Sequence, residues 1–220
     1  MVGDIIEALK GYRIVDLSVE IHPNVLKVNG EYIRGNQVRR FNIEQFINAE
    51  DGTYMHFLEA ESHIGTHIEG PSHLRPDLKP LIEIPLEKFI GEATVLKFEA
   101  NTSIKAEHLQ KIKEGDIVLL WSSGGSYVTR EAAKYLADKR IKMLGLQGVH
   151  PDEPGSGLAT HRILLENDIP IIEGLINLDR LKSERVFFIG LPLKIANLDS
   201  SWIRAIALEP VKYMNTESSS

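Results

Sequence analysis

Three of the eight histidines in this 220-residue chain fall within one short segment, Ser62-His-Ile-Gly-Thr-His-Ile-Glu-Gly-Pro-Ser-His73. With one carboxylate they occupy odd positions, namely His63, His67, Glu69 and His73. Side chains at alternate positions of an extended chain point to the same face. Imidazole and carboxylate groups without sulfur are typical ligands of Zn²⁺, Mn²⁺ or Fe²⁺ rather than of Ca²⁺ or Mg²⁺. The spacing therefore predicts a site for a divalent metal.

The backbone of this segment is predicted to be a strand that turns into a loop, because Gly70 and Pro71 disfavour a helix. On a straight strand His63 and His67 would stand about 13 Å apart, near the limit for two imidazoles that share one ion. A shared ion therefore requires a bend at Gly65, whose backbone permits one. The alternative, a loop with hydrogen-bonded surface histidines, explains one histidine better than a cluster on one face.

The elements that must position this segment alternate between strands and helices. Short apolar runs predict strands at 13–18, 37–47, 53–62, 94–98, 116–121, 142–146, 169–173 and 185–189. Helical spacing predicts helices at 4–10, 105–112, 129–139 and 158–166, the third with Thr129 as N-cap. Loops are expected at 22–37 and 71–85. This alternation is typical of an α/β fold with a mixed sheet, and we expect one domain over 1–214 and a disordered polar tail at 215–220.

Composition narrows the class of protein. Hydrophobic residues make up 43% of the chain and charged residues 25%, as in a soluble globular protein. The net charge of −6 argues against a nucleic-acid partner. The absence of cysteine excludes disulfides, thiolate ligands and a cysteine nucleophile, and fits a cytoplasmic location. Residues 1–10 resemble neither a signal peptide nor a membrane span, so no membrane partner is expected.

The segment from His63 to His73 resembles the His-x-Gly-Thr-His-x-Asp-x-Pro-x-His motif of the cyclase family, which includes bacterial kynurenine formamidases and isatin hydrolases. These are metal-dependent amide hydrolases. A second segment, from Thr160 to Leu178, is similar to the family's second block, and the resemblance is collinear from about Ile14 to about Leu208. It implies a compact α/β domain with a barrel-like sheet flanked by helices, assembled as homodimers or homotetramers.

The resemblance also implies a set of metal ligands. The positions that match are His63, His67, Glu69, His73, His161 and Glu173. In two-metal members the motif carboxylate, here Glu69, bridges both ions, whereas in one-metal members the position of His73 is a proton acceptor, and both roles stay open. Taken alone, His161 is more typical of a solvated helix residue and Glu173 of a charge at the end of a strand.

The chain departs from the family pattern at three places. Glu69 stands where the motif has Asp, which moves the carboxylate outward by one methylene. Gln147 stands where the block Gly145-Leu-Gln-Gly-Val-His-Pro-Asp152 would carry a carboxylate. Residues 23–35 lack the family's Trp-Pro-Gly-Asp-like segment, which helps to line an aromatic-substrate pocket. We therefore do not take kynurenine formamidase activity itself as implied.

Two further signals are set aside. Ser122-Ser-Gly-Gly-Ser126 follows a predicted strand but lacks the Lys-Ser/Thr ending of a phosphate-binding loop, so a plain turn is expected. His150 lies between polar neighbours and is interpreted as a solvated loop residue.

These observations predict a metal-dependent hydrolase of a small amide, lactam, lactone or ester, with one or two Zn²⁺ or Mn²⁺ ions per chain. Glu69 would hold metal, His73 would transfer the proton of the attacking water, and Phe41 and Phe57 would form a wall of the substrate pocket. One alternative is a lyase, isomerase or cyclase in which His73 removes a carbon-bound proton. Another is a metal-binding protein without catalytic activity.

Overall fold

The structure, a computed structural model, describes residues 2–23, 25–28, 31–34 and 40–211. Contacts between residues divide the chain into two units, one formed by Met1–Val19 and Thr66–Ser220 and the other by Glu20–Gly65. The single domain expected over 1–214 stays a prediction. The tail expected at 215–220 lies outside the described residues.

The regular elements follow the α/β pattern expected from the sequence. The strands are β1 (Tyr12–Asp16), β2 (Val25–Val28), β3 (Glu31–Arg34), β4 (Phe41–Ile47), β5 (Tyr54–Ala60), β6 (His67–Glu69), β7 (Ile90–Phe98), β8 (Ser103–Ile104), β9 (Ile117–Val128), β10 (Met143–His150), β11 (Ile171–Glu173), β12 (Arg185–Ile189), β13 (Ser200–Trp202) and β14 (Ile206–Pro210). The helices are α1 (Val2–Leu9), α2 (Arg130–Asp138) and α3 (Ala159–Leu165). Within the described ranges, no helix is long and apolar enough to span a bilayer.

The first unit is built on one mixed sheet. Its strand order is β1-β14-β12-β7-β9-β10-β11-β6-β13, and β8 pairs with β9. β7, β9, β10 and β11 run parallel in the centre, while β6 and β13 join antiparallel at one end. The sheet curls into a half-barrel, which confirms the predicted fold class.

The core lies on both faces of this sheet. Along β9, Ile117 and Leu119 belong to one buried apolar cluster, and Val118 and Leu120 belong to the other. Helices α2 and α3 contribute to the second cluster through Leu136 and other apolar side chains. A strand covered on both faces is expected to be continuously apolar, as the first part of β9, residues 117–121, is. The predicted cap of α2 is confirmed, since Thr129 Oγ1 accepts a hydrogen bond from the N–H of Ala132 at 3.2 Å.

Two predictions for the first unit are wrong. The helix expected at 105–112 is a single 3₁₀ turn, Ala106–Leu109. The N–H of His108 binds the carbonyl of Lys105 and the N–H of Ile112 binds that of Leu109, so these bonds span three residues, as in a 3₁₀ turn, and not four. The turn expected at 122–126 lies inside β9, because β10 continues alongside it and pairs Val149 with Ser126. Sequence patterns do not contain this long-range pairing.

The second unit contains a four-stranded sheet in the order β3-β2-β4-β5. β4 and β5 form an antiparallel hairpin in which Phe41 lies opposite Ala60 and Ile47 lies opposite Tyr54. These strands confirm the two predicted between 37 and 62. The prediction of a loop at 22–37 is wrong for β2 and β3, which are strands. The rest of that range is only partly described.

Candidate metal centre

Strand β6 carries His67 and Glu69 into the first unit between β11 and β13. Its antiparallel register places His67 directly opposite Glu173. Thr66 fixes the start of the strand, because its Oγ1 donates to the carbonyl of Gly174 at 2.6 Å and accepts from the N–H of Val19 at 2.9 Å. One ligand atom from each of His67, Glu69 and Glu173 lies within 4.8 Å of the others. The strand pairing therefore brings together residues that are a hundred positions apart in the chain.

His161 reaches the same place from helix α3. Its Nε2 lies 3.0 Å from Glu69 Oε2 and 3.9 Å from Glu173 Oε1, and its Nδ1 forms a short hydrogen bond with Asp152 Oδ2. The residue is only 5% exposed, so the interpretation as a solvated helix residue is wrong. Burial alone would lower the pKa of this imidazole, but hydrogen bonds with the carboxylates of Asp152 and Glu69 outweigh it and raise the pKa to about 10.

His73 lies in a 3₁₀ turn, Pro71–His73, that follows β6, and the centre of its ring is 6.0 Å from that of His161. Its Nε2 is 3.9 Å from Glu69 Oε1, and its Nδ1 is 3.1 Å from Asp199 Oδ2. A Cβ on Gly70, the residue before this turn, would lie 2.9 Å from Leu81 Cδ1, so a larger residue there would force Leu81 to shift. The turn therefore directs one ring nitrogen of His73 towards the cluster and the other towards a carboxylate.

The donor set fits a divalent metal. Glu69 is only 3% exposed, and its two oxygens face different histidines: Oε1 lies 3.5 Å from His67 Nε2, and Oε2 faces His161. A buried carboxylate is costly unless it is paired or binds a cation. Imidazole and carboxylate ligands suit Zn²⁺ and Mn²⁺. Both oxygens of Glu69 therefore lie close to histidine nitrogens that would hold a metal together with it.

Two carboxylates of the site escaped the sequence analysis. Asp152 binds His161, and burial raises the pKa of its carboxyl, but the hydrogen bond from His161 outweighs this effect and the pKa lies below its ordinary value. Asp152 is the last residue of the block that begins at Gly145, so the sequence pattern could have indicated it as a residue of the site. Asp199, which binds His73, follows no motif.

Gln147 has a structural task where the family pattern has a carboxylate. Its Oε1 accepts a hydrogen bond from the N–H of Leu178 at 2.7 Å, and its Nε2 lies 3.4 Å from Asp179 Oδ1. The side chain of Gln147 therefore stabilises the turn Leu178–Arg180. The carboxylate next to His161 is that of Asp152, at the end of the same block.

A cavity of about 310 Å³ opens beside the cluster. Its lining includes Gly124, Gly125, Gln147, Gly148, His150 and Glu173. A β-bulge between Gln147 and Val149 shapes one wall, and a Cβ on Gly148 would lie 2.0 Å from the carbonyl oxygen of Ser122. His150 is the exposed last residue of β10 rather than a loop residue. Because the lining contains Glu173, the cavity adjoins the candidate ligands.

The remaining predicted site residues belong to the second unit. His63, Phe41 and Phe57 lie within Glu20–Gly65, and their assignment to the site stays a prediction. Phe41 is buried, and Phe57 is exposed. The bend expected at Gly65 is present, with φ at +61°.

Comparisons with known proteins give the family and the fold of this chain. A family model described as "Putative cyclase" matches residues 15–153. The kynurenine formamidase of Erythrobacter litoralis is 27% identical over 212 residues, which cover 90% of this chain and 94% of that protein. The kynurenine formamidase of Bacillus cytotoxicus is 29% identical over 157 residues, which cover 66% of this chain and 75% of that protein.

Solved structures share the fold. Isatin hydrolase A from Labrenzia aggregata superposes with a TM-score of 0.73 at 21% identity, and the match covers 95% of this chain and 99% of that one. A structure described as a predicted metal-dependent hydrolase from Bacillus stearothermophilus superposes with a TM-score of 0.70 at 23% identity, over 90% and 98% of the two chains.

Proposed function

The chain belongs to the cyclase family, and from that premise we propose that it is a metal-dependent hydrolase that cleaves the amide C–N bond of a small molecule. One observation carries the proposal: the ligand atoms of His67, Glu69 and Glu173 converge beside a cavity, in a chain whose relatives are kynurenine formamidases. The similarity to kynurenine formamidases supports hydrolysis of an amide as the reaction. The cluster of imidazole and carboxylate groups supports a bound metal that would activate water for this reaction.

We infer that the metal ligands are His63, His67, Glu69, His73, His161 and Glu173, shared by one or two Zn²⁺ or Mn²⁺ ions. The convergence of all but His63 within the first unit supports this set. A bound divalent ion lowers the pKa of a water from 15.7 to about 7 and polarises a carbonyl oxygen. With one ion, His73 is left for proton transfer.

In the one-ion form, His73 accepts the proton of the attacking water at Nε2. Asp199 accepts the hydrogen bond of Nδ1–H at 3.1 Å, which leaves the lone pair of Nε2 on the side of Glu69. The same nitrogen then returns the proton to the leaving amine, as general acid–base catalysis requires. Asp199 acts through the ring of His73 and is a positioning residue.

The substrate is small. A cavity of about 310 Å³ lies at the lower end of the range for ligand sites, which suits a single-ring or fused-ring amide, lactam, lactone or ester. We assign Phe41 and Phe57 to the pocket wall on the basis of the sequence. We also propose that the protein forms homodimers or homotetramers and acts in the cytoplasm.

The test is elemental analysis of protein purified without chelators, combined with hydrolysis assays on a panel of amides and lactams. We expect His67→Ala to lose both metal and turnover, while His108→Ala, in the turn Ala106–Leu109, keeps both. About two ions, reduced in Glu173→Ala, would support the two-metal form, and one ion kept in Glu173→Ala would support the one-metal form. Full turnover by metal-free His67→Ala would refute the proposal.

Isotope labelling separates hydrolysis from lyase or isomerase chemistry. Hydrolysis places solvent oxygen in the acid product, so H₂¹⁸O must label it. An unlabelled product would favour proton removal from carbon by His73. Bound metal without turnover of any amide or lactam would favour a metal-binding protein without catalytic activity.

A further inference from the structure

Asp152 lies where β10 leads into α3, and its two carboxylate oxygens bind the same turn of that helix in different ways. Oδ1 accepts the backbone N–H of Thr160 at 2.6 Å and lies 3.4 Å from that of His161. Oδ2 binds the ring of His161 at Nδ1. One side chain therefore holds both the backbone and the ring of His161.

The second ring nitrogen of His161 faces the candidate metal centre. Its Nε2 lies 3.0 Å from Glu69 Oε2, and the side chains of Asp152, His161 and Glu69 are 14%, 7% and 4% exposed. Since the imidazole is planar, a bond at Nδ1 together with a fixed backbone determines where Nε2 points. The partner of one ring nitrogen also sets which nitrogen carries the proton.

From this geometry we propose that Asp152 is a positioning residue of the metal centre: it holds His161 with a protonated Nδ1, so that the Nε2 lone pair is presented to a metal beside Glu69. The inference rests on the proposed function only in taking this cluster to be the metal site. In the sequence, Asp152 is only the last residue of the block that begins at Gly145, and the pattern gives it no function.

A structural role is the competing explanation. Leu158, the N-cap residue of α3, makes no side-chain capping bond, so Asp152 also satisfies the open N–H groups of this helix. Asp152→Asn separates the two roles. The amide oxygen still accepts from the backbone of Thr160, but the amide N–H₂ donates to Nδ1 of His161 and places the ring proton on Nε2, where it blocks a metal.

The experiment uses the full chain stripped with a chelator and titrated with Zn²⁺ against a chromophoric competitor. Asp152→Asn is expected to bind Zn²⁺ about 10- to 100-fold more weakly than the wild type. The thermal midpoint of the metal-free variant should fall, because Asp152 belongs to the ion-pair network of His161, so the titration is run well below the thermal midpoints of both proteins. The matched control is Glu153→Gln, which removes the neighbouring carboxylate and should leave both the affinity and the thermal midpoint unchanged.

A metal-independent measurement completes the test. In the metal-free protein labelled with ¹⁵N-histidine, the ring signals of His161 should move in Asp152→Asn and stay in place in Glu153→Gln. Wild-type affinity in Asp152→Asn overturns the inference, and so does an affinity loss that appears only at temperatures where the metal-free variant is unfolded. If the wild type binds neither Zn²⁺ nor Mn²⁺, the proposed function fails, and unmoved ring signals would overturn the positioning role as well.

Discussion

The buried histidine of α3 predicts how the metal-free protein responds to pH. Hydrogen bonds with Asp152 and Glu69 hold the pKa of His161 at about 10, against an ordinary value of 6.5. A group whose pKa is raised by folding stabilises the folded state fully below its unfolded pKa, and this stabilisation disappears as the pH rises through the folded pKa. The free energy of unfolding should therefore fall between pH 6.5 and 10.

The size of the effect follows from the same pKa. Each unit of pH in this range changes the free energy of unfolding by about 1.4 kcal/mol, so the full contribution is about 5 kcal/mol. By pH 8 the loss should already be about 2 kcal/mol. His161 is only 5% exposed, so solvent screens this interaction little.

The assay is urea unfolding of chelator-treated protein at a series of pH values, with the wild type compared with His161→Gln. Subtraction of the two curves removes the titration of other groups and leaves the contribution of His161. His22→Gln, whose side chain is 67% exposed, is the control and should follow the wild type. Parallel curves for the wild type and His161→Gln would refute the buried ion-pair network at this site.

Three further changes test other parts of the structure. Asp116→Asn should lower the free energy of unfolding by about 3–5 kcal/mol in urea titrations. The reason is that Asp116 is buried and binds the guanidinium of Arg185 through both carboxylate oxygens. A loss below about 1 kcal/mol would contradict this. Gly148→Ala should destabilise the protein by more than about 1 kcal/mol and reduce turnover. The φ angle of Gly148 is +67°, and a Cβ there would lie 2.0 Å from the carbonyl oxygen of Ser122. A wild-type thermal midpoint would show that the β-bulge between Gln147 and Val149 is absent. In the one-ion form, Asp199→Asn should reduce kcat about 100-fold or more while elemental analysis finds unchanged metal, because it reverses the hydrogen bond at Nδ1 of His73. An unchanged kcat would exclude the positioning role.

The sequence by itself determined the class of fold and the ligand-bearing segments. The buried first part of β9 is a continuous apolar run, and the cap of α2 depends on Thr129 alone, so both are visible in a short window of residues. The bend at Gly65 follows from the spacing of neighbouring histidines. These are local properties, which depend on residues a few positions apart.

Only the tertiary structure decided how distant segments meet. The antiparallel register of β6 and β11 sets His67 against Glu173, and helix α3 buries His161 beside Glu69. The contacts of Asp152 with His161 and of Asp199 with His73 became visible only in this packing. The extension of β9 through its glycines likewise depends on β10. Each of these contacts joins segments that no short window contains, because hydrogen-bond pairing between strands and packing across a sheet act between residues that are distant in the chain.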